Sequence, residues 1–73
     1  MTTDQLRQAL RELNGERKLI MVFAHVHSVY GRDSMEVKNA MLIPDEADHL
    51  VKVTDGRAVY IIDAERVAWL SIA

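Results

Sequence analysis

Three histidines are the residues of this chain best suited to metal or acid–base chemistry. His25 and His27 are two positions apart, which would place both on one face of a strand, and His49 follows later in the chain. A transition-metal site needs ligand number and geometry together, and no carboxylate follows the pair at a diagnostic spacing. We therefore predict no metal and no other cofactor, and we interpret His25 and His27 as polar positions where a strand leaves the core.

Acidic residues form a second cluster, because Asp45, Glu46 and Asp48 place three carboxylates within four positions. Paired carboxylates can bind Ca²⁺ or Mg²⁺ or transfer protons, but these lack the spacing of a known calcium loop. The chain also has no cysteine nucleophile, no catalytic Ser/His/Asp signature and no glycine-rich phosphate loop. We predict an exposed polar loop in a protein that is not an enzyme.

Basic residues are concentrated near the amino terminus. Residues 5–18 hold four basic side chains, Arg7, Arg11, Arg17 and Lys18, against two acidic ones, whereas the whole chain has a formal net charge of −2. Arg7 and Arg11 are four positions apart and would share one side of a helix. They are candidates for phosphate contacts, and the alternative is an ordinary solvated helix face.

These side chains are positioned by a helix and a series of strands. Leu6, Leu10 and Leu13 recur at helical spacing, Thr2 and Gln5 fit a capping box, and Asn14–Gly15 is a stop signal, so we predict a helix over residues 3–13.

Five strands are predicted after the helix. Asp55–Gly56 predicts a hairpin with a type I′ turn, and Asp63–Arg66 predicts a single tight turn that Asp63 caps. The strands cover Lys18–Tyr30, Met35–Ile43 with Asn39 interrupting, Leu50–Thr54, Ala58–Ile62 and Val67–Ile72.

A chain of 73 residues is one domain, here residues 1–73, and this order predicts a mostly β fold with an N-terminal helix: a small, five-stranded, strongly bent SH3-like barrel. The amino terminus lacks the pattern of a signal peptide, and no apolar run reaches the roughly 18 residues that a membrane span needs. We expect a cytoplasmic protein that does not insert into a membrane.

The order of elements resembles the Sm-like family, which includes the Hfq branch. Val59–Ile72 looks like the second Sm motif, an apolar strand, a tight turn and a final apolar strand, and Asp45 falls where the first Sm motif places an acidic residue. The resemblance implies an oligomeric ring that binds single-stranded RNA, with Arg7, Arg11, Asp45 and His49 as candidate contacts. Asp48–His49 stands where the family has Met-Asn, which leaves open a ring that does not bind nucleic acid.

The last two predicted strands carry apolar residues on both faces, and a barrel interior can cover only one face of each strand. We expect the fourth strand of one subunit to pair with the fifth strand of the next, because this would cover both an edge and an apolar patch. A head-to-tail contact of this kind generates a ring if its rotation closes, and a two-fold dimer is the alternative. The candidate interface residues are Val59, Tyr60, Ile61, Trp69 and Leu70.

Overall fold

The computed structural model describes residues 1–24, 33–44 and 47–73. These ranges contain one α-helix, six strands and a 3₁₀ turn, which confirms a mostly β fold with an N-terminal helix. In chain order they are α1 (Thr3–Leu10), β1 (Leu19–Phe23), β2 (Ser34–Val37), β3 (Met41–Leu42), β4 (Val51–Thr54), β5 (Val59–Ile62), the 3₁₀ turn (Ala64–Arg66) and β6 (Val67–Ile72).

The helix begins with the predicted capping box. The Thr2 hydroxyl accepts a hydrogen bond from the Gln5 amide (3.1 Å), and the Gln5 side chain accepts one from the Thr2 amide (3.0 Å). The helix ends at Leu10 rather than Leu13, because the Leu13 amide donates to the Leu10 carbonyl (3.0 Å) in a tightened last turn. Leu13 is nevertheless buried, as are Leu6 and Leu10, so the predicted apolar stripe is confirmed.

The strands form two antiparallel three-stranded sheets. Sheet A has the order β2-β1-β6 and sheet B has the order β3-β4-β5. The helix packs against β3, β4 and the 3₁₀ turn. The residues that face inward are apolar and form one core with the helix: Leu6, Leu10, Leu13, Leu19, Met21, Val37, Ala40, Val51, Val53, Ile62, Ala64 and Val67.

The predicted second strand is divided in two, so the described chain shows two joined sheets rather than five strands in a closed barrel. Asn39 has a positive φ of 53°, which asparagine tolerates better than most residues, and it turns the chain from β2 in sheet A to β3 in sheet B. The corner is held at Ala40, whose amide donates to the Arg17 carbonyl (2.9 Å) and whose carbonyl accepts from the Gly15 amide (3.0 Å).

The sequence predicts a first strand that runs from Lys18 to Tyr30. In the structure β1 ends at Phe23, and residues 25–32, including His25 and His27, lie outside the described residues.

The hairpin between β4 and β5 is confirmed, but its predicted turn type is wrong. A type I′ turn needs a positive φ at both central residues, and here only Gly56 has one (φ 95°). The Asp55 carboxylate closes the loop by accepting hydrogen bonds from the amides of Arg57 (2.8 Å) and Ala58 (2.9 Å). Both hydrogen bonds lower the pKa of Asp55 below its ordinary value of 3.8, and the bond from Ala58 has the larger effect.

The last strand has its predicted bounds, but its two faces differ from strict alternation. Val22 pairs with Trp69 and Phe23 with Val67, so Ala68 is an extra residue in a bulge. Val67 and Trp69 are two positions apart and would share a face in a regular strand. Instead Val67 is buried, whereas the Trp69 side chain points outward and is exposed. In the described part of the chain, no helix is both long and apolar enough to cross a membrane.

Candidate oligomer and nucleic-acid interface

Two consecutive strands occupy open edges. β6 is an outer strand of sheet A and β5 is an outer strand of sheet B, and only the 3₁₀ turn separates them in sequence. The other outer strands are β2 and β3, which meet at the Asn39 corner. Within the described ranges, β5 and β6 each pair with a single neighbouring strand. A strand in this position presents backbone N–H and C=O groups that another strand can bind.

The hydrogen bonds of β6 identify which backbone groups point outward. Lys18 and Ala73 exchange two backbone hydrogen bonds (3.4 and 3.0 Å), and antiparallel pairs alternate between bonded and non-bonded residues. Trp69 and Ser71 therefore direct their backbone groups toward β1. The N–H and C=O groups of Leu70 and Ile72 point away from β1, toward the open edge.

The same alternation applies to β5. The Ile43 amide donates to the Lys52 carbonyl (3.0 Å), so the backbone of Lys52 faces β3, and its neighbours in β4 face β5. Those neighbours stand opposite Tyr60 and Ile62. The backbone groups of Val59 and Ile61 are consequently the ones directed toward the open edge.

Large apolar side chains accompany both edges. Val59 is 55% exposed and Ile61 63% exposed on β5, and Trp69 is 54% exposed on β6. Tyr60 and Leu70 are half-buried and pack against the core. The five residues predicted as an interface therefore all lie on the two edge strands, three of them outside the core and two at its margin.

A groove of about 330 Å³ lies beside the end of β5. It joins three parts of the chain, the start of the helix, the segment before β4, and the end of β5 with its turn. Its described lining consists of Thr3, His49, Leu50, Val51, Ile61, Ile62, Asp63 and Ala64. The structure thus brings His49 next to the turn between β5 and β6.

The loop that carries His49 is held by its neighbour Asp48. One Asp48 oxygen accepts a hydrogen bond from the Leu50 amide (3.0 Å) and the other contacts the Lys52 ammonium (2.5 Å). The hydrogen bond from Lys52, followed by that from Leu50, lowers the pKa of Asp48 below 3.8. His49 itself is exposed and has a positive φ of 58°.

The opposite wall of the groove is the 3₁₀ turn. Asp63 caps it as predicted, because its carboxylate accepts a hydrogen bond from the Glu65 amide (3.1 Å), and it also lies 3.4 Å from the Arg66 guanidinium. The groove therefore combines an imidazole, a carboxylate and an apolar floor, which is a suitable lining for a flat polar ring.

Arg7 and Arg11 line a different groove, of about 490 Å³, with Asp4, Gln8, Leu42 and Pro44. Arg7 is half-buried, and its guanidinium donates a hydrogen bond to the Leu50 carbonyl (2.8 Å), which ties the helix to the segment before β4. Arg11 is exposed and its guanidinium is 3.4 Å from the Gln8 side chain. The sequence did not reveal the contact between Arg7 and Leu50, because nothing local connects residues so far apart.

The remaining predicted residues are placed as follows. Asp45 lies outside the described residues. Lys18 forms an ion pair with Glu36 (3.8 Å), and Arg17 is exposed. No cluster of three or more potential metal ligands occurs among residues 1–24, 33–44 and 47–73.

Comparisons with family models, with curated proteins and with solved structures give no match to this chain.

Proposed function

We propose that this chain assembles into a homo-oligomeric ring of the Sm-like type, in which β5 of one subunit pairs with β6 of the next, and that the ring binds single-stranded RNA. One observation carries the proposal: β5 and β6 follow each other in the chain, each is an outer strand of its sheet in the described chain, and exposed apolar side chains accompany both. A contact between two different edges is head-to-tail and repeats from subunit to subunit until the ring closes.

The strand order supports the finer fold that the ring requires. If β2 and β3 are the two halves of one strand bent at Asn39, the strands follow the order β6-β1-β2/β3-β4-β5. That order is the one expected for the proposed five-stranded, strongly bent SH3-like barrel, with its opening between β5 and β6. Such a barrel leaves one edge on each side of the opening for neighbouring subunits.

Nucleic-acid binding is proposed at the groove that contains His49 and Asp63. A ring would repeat this groove once per subunit, so that successive nucleotides of a single strand could occupy successive grooves. Imidazole and carboxylate groups can hydrogen-bond to the edges of a base, and the apolar lining can contact its flat face. Arg11, exposed on the helix, would contribute a phosphate contact.

Light scattering at micromolar concentration tests the ring. The expected mass is five to seven subunits, and a stable monomer would contradict the proposal. Ile61→Lys should reduce the mass to that of a monomer, because it places a charge on the β5 edge. Met41→Lys is the matched control: Met41 is 46% exposed on β3, which takes no part in the proposed contact between β5 and β6, and its replacement should leave the ring intact.

Fluorescence anisotropy with labelled oligo(U) and oligo(A) tests RNA binding. Affinity should fall steeply as the salt concentration rises, because phosphate contacts release counterions. An intact ring that binds neither oligonucleotide at low salt supports the second candidate function, a ring that mediates protein interactions. That candidate is favoured by the formal charge of −2. It is also favoured by the contacts that two basic side chains make within the fold, Arg7 with the Leu50 carbonyl and Lys18 with Glu36.

A further inference from the structure

Antiparallel pairing between β5 and β6 of the next subunit is strongly constrained by the directions of the backbone groups. Residues that exchange hydrogen bonds stand opposite each other and share a face of the sheet. β5 offers Val59 and Ile61, whose side chains point away from their own core, and β6 offers Leu70 and Ile72, whose side chains pack at the margin of theirs. Pairing therefore lays Val59 and Ile61 against the core margin of the next subunit.

One register uses all four of these residues. It places Ile61 opposite Leu70 of the next subunit and Val59 opposite Ile72 of the next subunit. A slip by two residues in one direction takes Val59 beyond the carboxyl end of β6, and a slip in the other direction brings Ile61 to the bulge at Ala68. The register also pairs all four residues of β5 with the part of β6 that follows the bulge.

This register decides where the exposed tryptophan lies. The non-bonded pair that follows Ile61–Leu70 brings Trp69 of the next subunit opposite Ile62, and Ile62 lines the groove that contains His49 and Asp63. We infer that Trp69 of the next subunit completes this groove as an aromatic wall on which a nucleobase stacks. This inference rests on the proposed ring. Each binding site is then shared by two subunits and is incomplete in an isolated chain.

The chemistry of the completed groove fits a nucleobase rather than a phosphate group. The described residues of the groove include one carboxylate, Asp63, and no arginine or lysine. An indole ring stacks on bases of any sequence, whereas His49 and Asp63 provide the polar groups that contact a base edge. Trp69 is half-exposed in the isolated chain, and the shared site accounts for this exposure.

Engineered disulfides test the register, and the absence of cysteine from the chain removes any background. The double variants Ile61→Cys with Leu70→Cys and Val59→Cys with Ile72→Cys should each give, on oxidation, a ladder of covalent oligomers up to the full ring. Directly opposite residues fall within the Cα separations that a disulfide spans. Ile61→Cys with Ile72→Cys, which reports a register shifted by two residues, should give no ladder. A ladder from this control alone, or a ring of the expected mass without any ladder, overturns the register.

The single tryptophan tests the shared site directly. Oligo(U) should quench its emission, Trp69→Leu should weaken oligo(U) binding about tenfold or more, and Trp69→Phe should retain most of the affinity. Light scattering on each variant shows whether the ring persists. An intact ring that binds oligo(U) without quenching, or equally well after Trp69→Leu, overturns the inference and leaves the proposed function standing. A monomeric wild-type protein overturns the proposed function itself.

Discussion

Two regions of sheet B, the start of its central strand β4 and its outer strand β5, differ in how completely the chain covers them. At the start of β4, the helix buries Leu6 and Leu10 against the core, and Arg7 reaches across to the Leu50 carbonyl. At β5, the outer backbone groups point to an open edge, and Val59 and Ile61 remain more than half exposed. The first region is covered by the chain itself, whereas the second is the surface at which we propose that another subunit binds.

The largest expected change in the free energy of unfolding comes from a substitution in the helix. Leu10 is fully buried, so Leu10→Ala should lower the free energy of unfolding by about 2–5 kcal/mol, through lost burial and the cavity that remains. Ile61→Ala, measured at a concentration below that of assembly, should change it by less than about 0.5 kcal/mol, because the side chain is exposed. Urea denaturation followed by circular dichroism measures both. Equal losses would mean that the two regions do not differ.

The two arginines of the helix should separate structure from binding. Arg7→Met should cost about 1–3 kcal/mol of unfolding free energy, because it removes a charged donor from the Leu50 carbonyl and keeps the aliphatic stem. Arg11→Met should leave stability within about 0.5 kcal/mol and should reduce the salt dependence of oligonucleotide binding instead. Denaturation and anisotropy titrations on both variants check this, and a stability loss confined to Arg11→Met would contradict it.

A smaller loss is expected at the start of the helix. Thr2→Ala removes the oxygen that accepts the Gln5 amide and should lower the unfolding free energy by about 1 kcal/mol. Thr2→Ser retains this oxygen and should behave like the wild-type protein. Thermal denaturation of the three proteins side by side is sufficient, and an unchanged melting temperature for Thr2→Ala would show that the cap is dispensable.

The smallest effect concerns pH. The pKa values of Asp48 and Asp55 lie below 3.8 in the folded protein, through the hydrogen bonds that each carboxylate accepts. Their contribution to stability is therefore fully present above pH 3.8, the ordinary pKa, and is lost as the pH falls through the lowered values. Asp55→Asn should reduce the loss of stability that occurs as the pH falls below 3.8. A steeper acid dependence in the variant would contradict this origin of the shift.

The candidate site was predictable only in part. Local patterns were sufficient to place Val59, Ile61 and Trp69 on two edge strands and to assign Asp63 its capping role. The proximity of His49 to the 3₁₀ turn depends on how sheet B packs against the helix. The hydrogen bond of Arg7 depends on the Leu50 carbonyl, 43 residues away. Neither contact has a signature in the neighbouring sequence.

The sequence by itself determined the structural elements that depend only on residues close together in the chain. Helical spacing with a capping box specified the start of the helix, and apolar runs before and after a turn specified β5 and β6. Tertiary structure alone decided the corner at Asn39 and the bulge at Ala68. Those features arise where strands of one sheet must pair in register while the chain crosses to the other sheet. That requirement joins residues far apart in the sequence, and no local pattern encodes it.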